Sequence, residues 1–284
     1  MQHTLAVIGP GFTGRAIASA AAGAGHRVVS IGRSGSDAPF GTQAADAVIA
    51  GATLLVSTVP PAESGDPVLA AHGRAIAGSG LRWVGYCSTT GVYGDRGGAW
   101  VDETSLPAPG QPRSIRRLGA EHAWRAAMPG SAGLDLIRIA GIYGPGRSAL
   151  DDVRGGTARR VIRPGHAFGR IHVDDIAGLV VAAIARPPAP GAVRVLHAAD
   201  DEPAPSADVL AEAARLLGAD SPPAVPFDVA VTSMSEMGRS FWSESRRVAN
   251  ALTKEATGWR PKYPSFREGL RAILAEEAGE RAAE

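Results

Sequence analysis

Cysteine is almost missing from this 284-residue chain, where Cys87 stands alone. A single thiol excludes an internal disulfide framework and suits a reducing cytoplasm. Cys87 closes an apolar strand, so a buried structural thiol is expected there rather than a reactive one. Long apolar runs are missing too, and none approaches the ~18 residues of a membrane-spanning helix. Neither sign of charge is in excess, with 29 Lys and Arg against 28 Asp and Glu spread along the chain. That balance gives no electrostatic ground for nucleic acid or a membrane surface as partner. The seven histidines lack metal-ligand spacing, so no bound metal is expected. Leu5-Ala6-Val7-Ile8 opens a strand almost at once, which makes a signal peptide unexpected. The remaining reading is a cytoplasmic monomer or homodimer that acts on a small molecule.

Glycine is plentiful, at 36 residues in a chain that is 45% apolar and 20% charged. Such proportions are ordinary for a globular protein, and the length suits one large α/β domain with a small lobe. Short runs of Val, Ile and Leu mark strands near 4–8, 27–31, 53–57, 82–88, 134–139 and 193–198. They show little period-2 alternation, as expected when helices cover both sheet faces. Helices are expected over 15–24, 66–78, 114–127, 173–185, 206–217 and 266–278. This alternation predicts a parallel, doubly wound sheet. Two stretches, 148–165 and 200–265, are richer in Pro, Gly and Arg. They read as a lobe over the carboxyl ends of the strands, where ligands bind in such sheets. The charged tail from Glu276 is expected to fray.

Val7-Ile8-Gly9-Pro10-Gly11-Phe12-Thr13-Gly14 is a G-x-G-x-x-G between the first strand and the first helix. Gly9 permits the tight turn, Gly11 lets backbone approach a pyrophosphate, and Gly14 lets helix and strand pack closely. Phe12 and Thr13 stand at the helix's amino end, whose free N–H groups attract phosphate. This predicts a dinucleotide-binding domain from 1–147 and 166–199, with a substrate lobe from 148–165 and 200–284. An NAD site usually ends its second strand with an acid for the ribose 2′-OH. Here no acid precedes Asp37, and that strand runs into Gly32-Arg33-Ser34. Arg33 and Ser34 suit a 2′-phosphate, so NADP is favoured over NAD. Ser57, Thr58, Val59 and Pro60 are expected along the adenosine–pyrophosphate side, and Ser88 counts with the cofactor residues.

Further segments carry a resemblance. They are Ser88-Thr89-Thr90-Gly91-Val92-Tyr93-Gly94, Val101-Asp102-Glu103-Thr104, and Leu136 to Arg147 with its Gly141-Ile142-Tyr143-Gly144-Pro145-Gly146. Arg170-Ile171-His172-Val173-Asp174-Asp175, Ser245 to Asn250 and Tyr263 to Leu270 follow, so nearly the whole chain is covered. In order and spacing the chain resembles the extended and atypical short-chain dehydrogenases/reductases, specifically the NAD(P)-dependent epimerase/dehydratase-like group. The resemblance implies a Rossmann-type sheet with a small C-terminal substrate lobe. The glycine motif departs from the G-x-x-G-x-x-G of extended members, which points to an atypical subgroup.

The catalytic pattern departs further. The Ser or Thr that the family places four residues before the tyrosine of Val-Tyr-Gly is here Thr89. Where the family has Tyr-x-x-x-Lys, counting back from Glu121 finds Arg113 and Arg117. With a pKa above ~12, arginine trades no proton near neutrality. Arg117 can hold the nicotinamide ribose and supply positive potential, while Arg113 can clamp a substrate carboxylate or phosphate. Alternatively both belong to a solvated basic face with Arg116. The proton then comes from Tyr93, Tyr143 or a bound water, with Thr89 polarising a carbonyl. Otherwise each tyrosine is a packing residue. Arg147, Arg246 and Arg247 are placed to meet an anionic substrate. His172 forms a catalytic His–Asp pair or meets the substrate, or else it is structural, with Asp174 and Asp175 capping the next helix. The expected function is an NADP-dependent oxidoreductase or epimerase/dehydratase acting on a small polar substrate. The alternative is a non-catalytic NADP-binding sensor or scaffold.

Overall fold

A computed structural model describes residues 3–283, apart from the side chains of Met237 and of residues 280–283. Its first strands are β1 (Thr4–Ile8), β2 (Arg27–Gly32), β3 (Ala38–Pro39), β4 (Leu54–Ser57) and β5 (Trp83–Thr89). Next come β6 (Trp100–Val101), β7 (Gly133–Ile139), β8 (Gly141–Tyr143), β9 (Arg160–Ile162) and β10 (Arg170–His172). The last are β11 (Val193–Ala198), β12 (Ala224–Pro226) and β13 (Arg247–Val248). Among the described residues, seven strands form one sheet in the order β11-β7-β5-β4-β1-β2-β3. Every pairing in it is parallel. The order reverses direction beside β1, and such a switch point opens a crevice at the carboxyl edge.

The helices that cover the sheet are α1 (Phe12–Gly23), α2 (Gln43–Gly51), α3 (Pro67–Ala77) and α4 (Pro112–Ala127). They are followed by α5 (Ala149–Arg154), α6 (Val173–Ala185) and α7 (Ser206–Leu217). Strand side chains alternate between two cores, as the pleat requires. Leu5 and Val7 point to the α1–α6 face with Leu54, Val56 and Ile137. Ala6 and Ile8 point to the other face with Leu55, Val84 and Leu136. Both faces are dry, which explains the unbroken apolar runs in the strands.

Two of these features were invisible as pattern. β3 is two residues long, too short for any periodicity, and α2 is a nine-residue alanine-rich helix held at its start by Thr42. Beyond α7 come α8 (Phe227–Ala230), α9 (Glu236–Trp242), α10 (Ala251–Thr257) and α11 (Phe266–Ala283). α11 runs on past Glu276 to Ala283, and Glu277 in it receives both arms of the Arg154 guanidinium.

The lobe has its own small core of Leu150, Val209, Phe266, Leu270 and Ile273. Within it β9 pairs with β12, so residues before and after the α6–β11 unit meet. One part of the expected lobe lies elsewhere. β13 pairs with β6, and Thr253 of α10 accepts the His197 N–H at 2.7 Å and donates to Glu103 at 2.5 Å. Residues 247–257 therefore belong to the sheet body, a placement set by long-range bonds that composition does not encode.

Candidate active site

The carboxyl ends of β1, β4, β5 and β7 meet at a cleft of about 780 Å³. Its wall at β1 is the glycine turn. Gly9 has φ +91°, and a Cβ there would lie 2.8 Å from Thr58 Oγ1. A Cβ on Gly14 would fall 2.2 Å from the Gly9 carbonyl oxygen, so only glycine lets α1 abut the turn. Thr58 Oγ1 donates to that same carbonyl at 2.6 Å and pins the turn from β4. Gly11, the N-cap of α1, has no side chain to occupy the first amides, and the first turn holds no acid. No atom lies within 4 Å of where a Gly11 Cβ would be. Unpaired N–H groups and the positive end of the helix dipole thus face open space, which fits a pyrophosphate.

A Cβ on Gly32 would meet the Pro10 ring at 2.8 Å. This contact brings the end of β2, with exposed Arg33 and Ser34, beside the turn. Asp37 is folded back onto Ser30, accepting its N–H at 2.7 Å and its hydroxyl at 2.8 Å. Those bonds hold its carboxyl below the usual carboxylate range and commit it within the loop.

The opposite wall comes from β5 and α4. Arg117 Nη1 donates to the Cys87 carbonyl at 2.8 Å and to Tyr86 Oη at 3.2 Å, which fixes a guanidinium beside the strand end. The Arg113 guanidinium lies 4.1 Å from the Phe241 ring centroid. Both arginines line the cleft and Arg116 does not, so their shared helical face turns inward. Thr89 Oγ1 accepts the Gly91 N–H at 3.1 Å, leaving its own proton free to donate into the cleft. Arg246 donates to the Gly94 carbonyl at 2.9 Å and to Glu244 at 2.8 Å. Among the described residues, Glu244 is the one acid lining a cleft that also holds Arg113, Arg117, Arg147, Arg170 and Arg246. That excess of positive charge suits an anionic cofactor together with an anionic substrate.

Several expected residues are placed otherwise. Tyr93 is fully buried and does not line the cleft. Its Oη accepts from Arg138 Nη1 at 2.8 Å and lies 2.5 Å from His197 Nε2 and 3.1 Å from the Asp102 carbonyl. His197 Nδ1 is 2.6 Å from the Ala249 carbonyl, so Nδ1 carries the ring proton and Nε2 faces the Tyr93 hydroxyl as an acceptor. Burial pushes the phenol up to about 12. Behind it, Glu121 accepts both Arg138 Nη2 at 2.8 Å and the Ser88 hydroxyl at 2.6 Å. Tyr93 and Ser88 thus belong to a closed polar network beneath the site, although Ser88 also reaches the cleft wall. The hydrogen-bonded fork on Glu121 offsets the cost of burying the charges.

Tyr143 lines the cleft. Its hydroxyl is lodged against α11, 2.0 Å from where a Gly269 Cβ would be, and 3.5 Å from the Ser265 carbonyl. Burial raises this phenol too, and no part of the arrangement favours proton donation into the cleft. His172 is buried away from the cleft, where its Nδ1 accepts the Asp174 N–H and caps α6. It therefore caps the helix that Asp174 and Asp175 were expected to cap. Asp175 instead binds the Lys262 and Tyr263 backbone N–H groups. Ser57 is fully buried under the strand end, so Thr58 is the member of that run that lines the cleft. Arg247 spends its guanidinium on the Gly98 carbonyl. Burial pushes the Cys87 thiol up to about 12, which disfavours the thiolate that a nucleophile needs.

Ser114, Glu244 and Arg170 line the cleft without having been singled out for it. Ser114 had a legible signal, standing three residues before Arg117 on the same face of α4. Arg170 stood in a segment that carried the resemblance, whereas Glu244 had no signal of its own.

No family model matches the chain. A solved structure of a conserved protein of unknown function from Silicibacter pomeroyi DSS is 43% identical. The match covers 97% of this chain and 99% of that one, with a TM-score of 0.84. A structure assigned as an NAD-dependent epimerase/dehydratase from Methylobacillus flagellatus is 26% identical, covering 98% and 100% of the two chains with a TM-score of 0.71. A 3-diazoavenalumate denitrifying reductase from a Streptomyces species is 37% identical over 172 residues, 58% of this chain. The chain spans about half the length of that curated relative, 54%.

Proposed function

Because the chain belongs to the short-chain dehydrogenase/reductase superfamily, in its NAD(P)-dependent epimerase/dehydratase-like group, we propose that it is an NADP-dependent oxidoreductase for a small anionic substrate. The observation that carries this reading is the open cleft between the amino end of α1 and Thr89, lined by five arginines and one acid. A sensor that only held its cofactor would have no use for an open, charged chamber at the reacting end. The relative named as a reductase supports the same class of reaction.

When bound, NADPH supplies a hydride from its nicotinamide ring. The chain's own residues do the rest. The α1 amides and Arg33 hold the cofactor's phosphates, and Arg117 holds a fixed positive charge beside Thr89. Arg113 and Arg246 bind the anionic group of the substrate and set its orientation. The Thr89 hydroxyl donates to the acceptor atom on which negative charge develops. The chain has no Tyr-x-x-x-Lys, and both candidate tyrosines are bonded or packed away from the cleft. Water entering the cleft therefore delivers the proton. This arrangement favours acceptors that need little protonation as the hydride arrives, such as cationic or strongly activated groups.

The test is NADPH oxidation across aldehydes, ketones, imines and diazo compounds, each with and without a carboxylate. Turnover concentrated among the carboxylates is expected. Binding of NADPH with no oxidation of it by any member of the panel would favour the sensor.

A further inference from the structure

We infer that Arg147 closes over the pyrophosphate of the dinucleotide rather than binding a substrate anion, an inference that rests on the cofactor reading above. Gly144-Pro145-Gly146-Arg147 forms a type II turn, with proline second, Gly146 at φ +68° and the Arg147 N–H donating to the Gly144 carbonyl at 3.0 Å. The Gly144 N–H returns a bond to the Arg147 carbonyl at 3.1 Å. Two backbone bonds thus close a stiff ledge. Its base sits on α1, since a Cβ on Gly144 would lie 3.0 Å from Phe12 Cζ and 2.8 Å from Val173 Cγ1.

From this ledge the Arg147 guanidinium extends over the Phe12 ring, 5.7 Å from its centroid. Phe12 is the first residue of α1, so Arg147 stands at the glycine-turn end of the cleft. Thr89 and Arg117 mark the other end, across β4. The turn reaches this position because α1 and α6 pack side by side on one sheet face, and residues 144–147 bridge their amino ends. Arg147 is exposed, and among the described residues no carboxylate pairs with it. A guanidinium fork held over a helix amino end by a locked turn and an aromatic ring matches a diphosphate.

Arg147→Gln keeps most of the reach and removes the charge. Calorimetric titration with NADPH, NADH and ADP-ribose should show affinity falling ~10- to 100-fold for all three by a common factor. The common factor distinguishes Arg147 from Arg33, whose loss should affect NADPH alone. Loss on ADP-ribose excludes a contact that needs the nicotinamide. An unchanged thermal midpoint is expected for so exposed a side chain and excludes misfolding. If the variant binds all three ligands as the wild type does, the clamp is refuted, and a raised substrate KM beside intact cofactor binding would return Arg147 to the substrate. Wild-type protein that binds neither dinucleotide would overturn the cofactor reading itself, and the clamp with it.

Discussion

Tyr93→Phe distinguishes a structural tyrosine from an acid. The wild-type hydroxyl receives Arg138 Nη1 at 2.8 Å and directs its proton between His197 Nε2 at 2.5 Å and the Asp102 carbonyl at 3.1 Å. Phenylalanine keeps the ring but leaves a buried guanidinium N–H and a buried imidazole nitrogen without partners. A hydrogen bond to a charged group contributes ~1.5–3 kcal/mol, and an orphaned neutral acceptor costs ~1 kcal/mol more. The expected loss is therefore ~2.5–4 kcal/mol, a large share of the ~5–15 kcal/mol that holds a typical domain together. Urea unfolding should show it as a lower midpoint with an unchanged m value. Turnover per folded molecule should stay near wild type, because the hydroxyl does not reach the cleft. A general acid typically contributes ~100- to 10,000-fold. A kcat loss of that size with stability intact would refute the structural assignment of Tyr93.

Four other outcomes are expected. Arg33→Ala should weaken NADPH binding ~10-fold or more while leaving NADH binding alone, measured by titration of each. Thr89→Val should lower kcat ~100- to 1,000-fold with little change in NADPH affinity, since the donor acts on developing charge. Gly269→Ala should destabilise α11 although alanine ordinarily gains ~1 kcal/mol in a helix. Its Cβ would lie 2.0 Å from Tyr143 Oη, an overlap costing ~1–3 kcal/mol, and part of the loss should return in a Tyr143→Phe background when thermal midpoints are compared. Burial lifts the Asp200 carboxyl from 3.8 to about 8. The folded state then keeps a proton that the unfolded chain has released, so this contribution to stability is complete below about pH 4 and lost as pH rises through about 8. Asp200→Asn should flatten that decline, seen as a smaller drop in urea midpoint between about pH 5 and about pH 9.

Local pattern alone identified every long strand of the sheet, because each is an apolar run whose type follows from burial on both faces. It also located the glycine turn, where steric demands act between residues close in sequence: Gly9, Gly11 and Gly14 are needed by a turn and a helix start only a few residues long. The missing Tyr-x-x-x-Lys was equally plain, being a statement about spacing. Tertiary structure decided which of the remaining polar residues face the cleft. Nothing near Tyr93 announces that His197 and Arg138, carried on β11 and β7, will join the Asp102 carbonyl in bonding its hydroxyl. Nothing near Tyr143 reveals that Gly269 will receive its hydroxyl from α11. The direction of a polar side chain depends on partners that arrive from a hundred residues away, and their positions exist only once the sheet and lobe have closed.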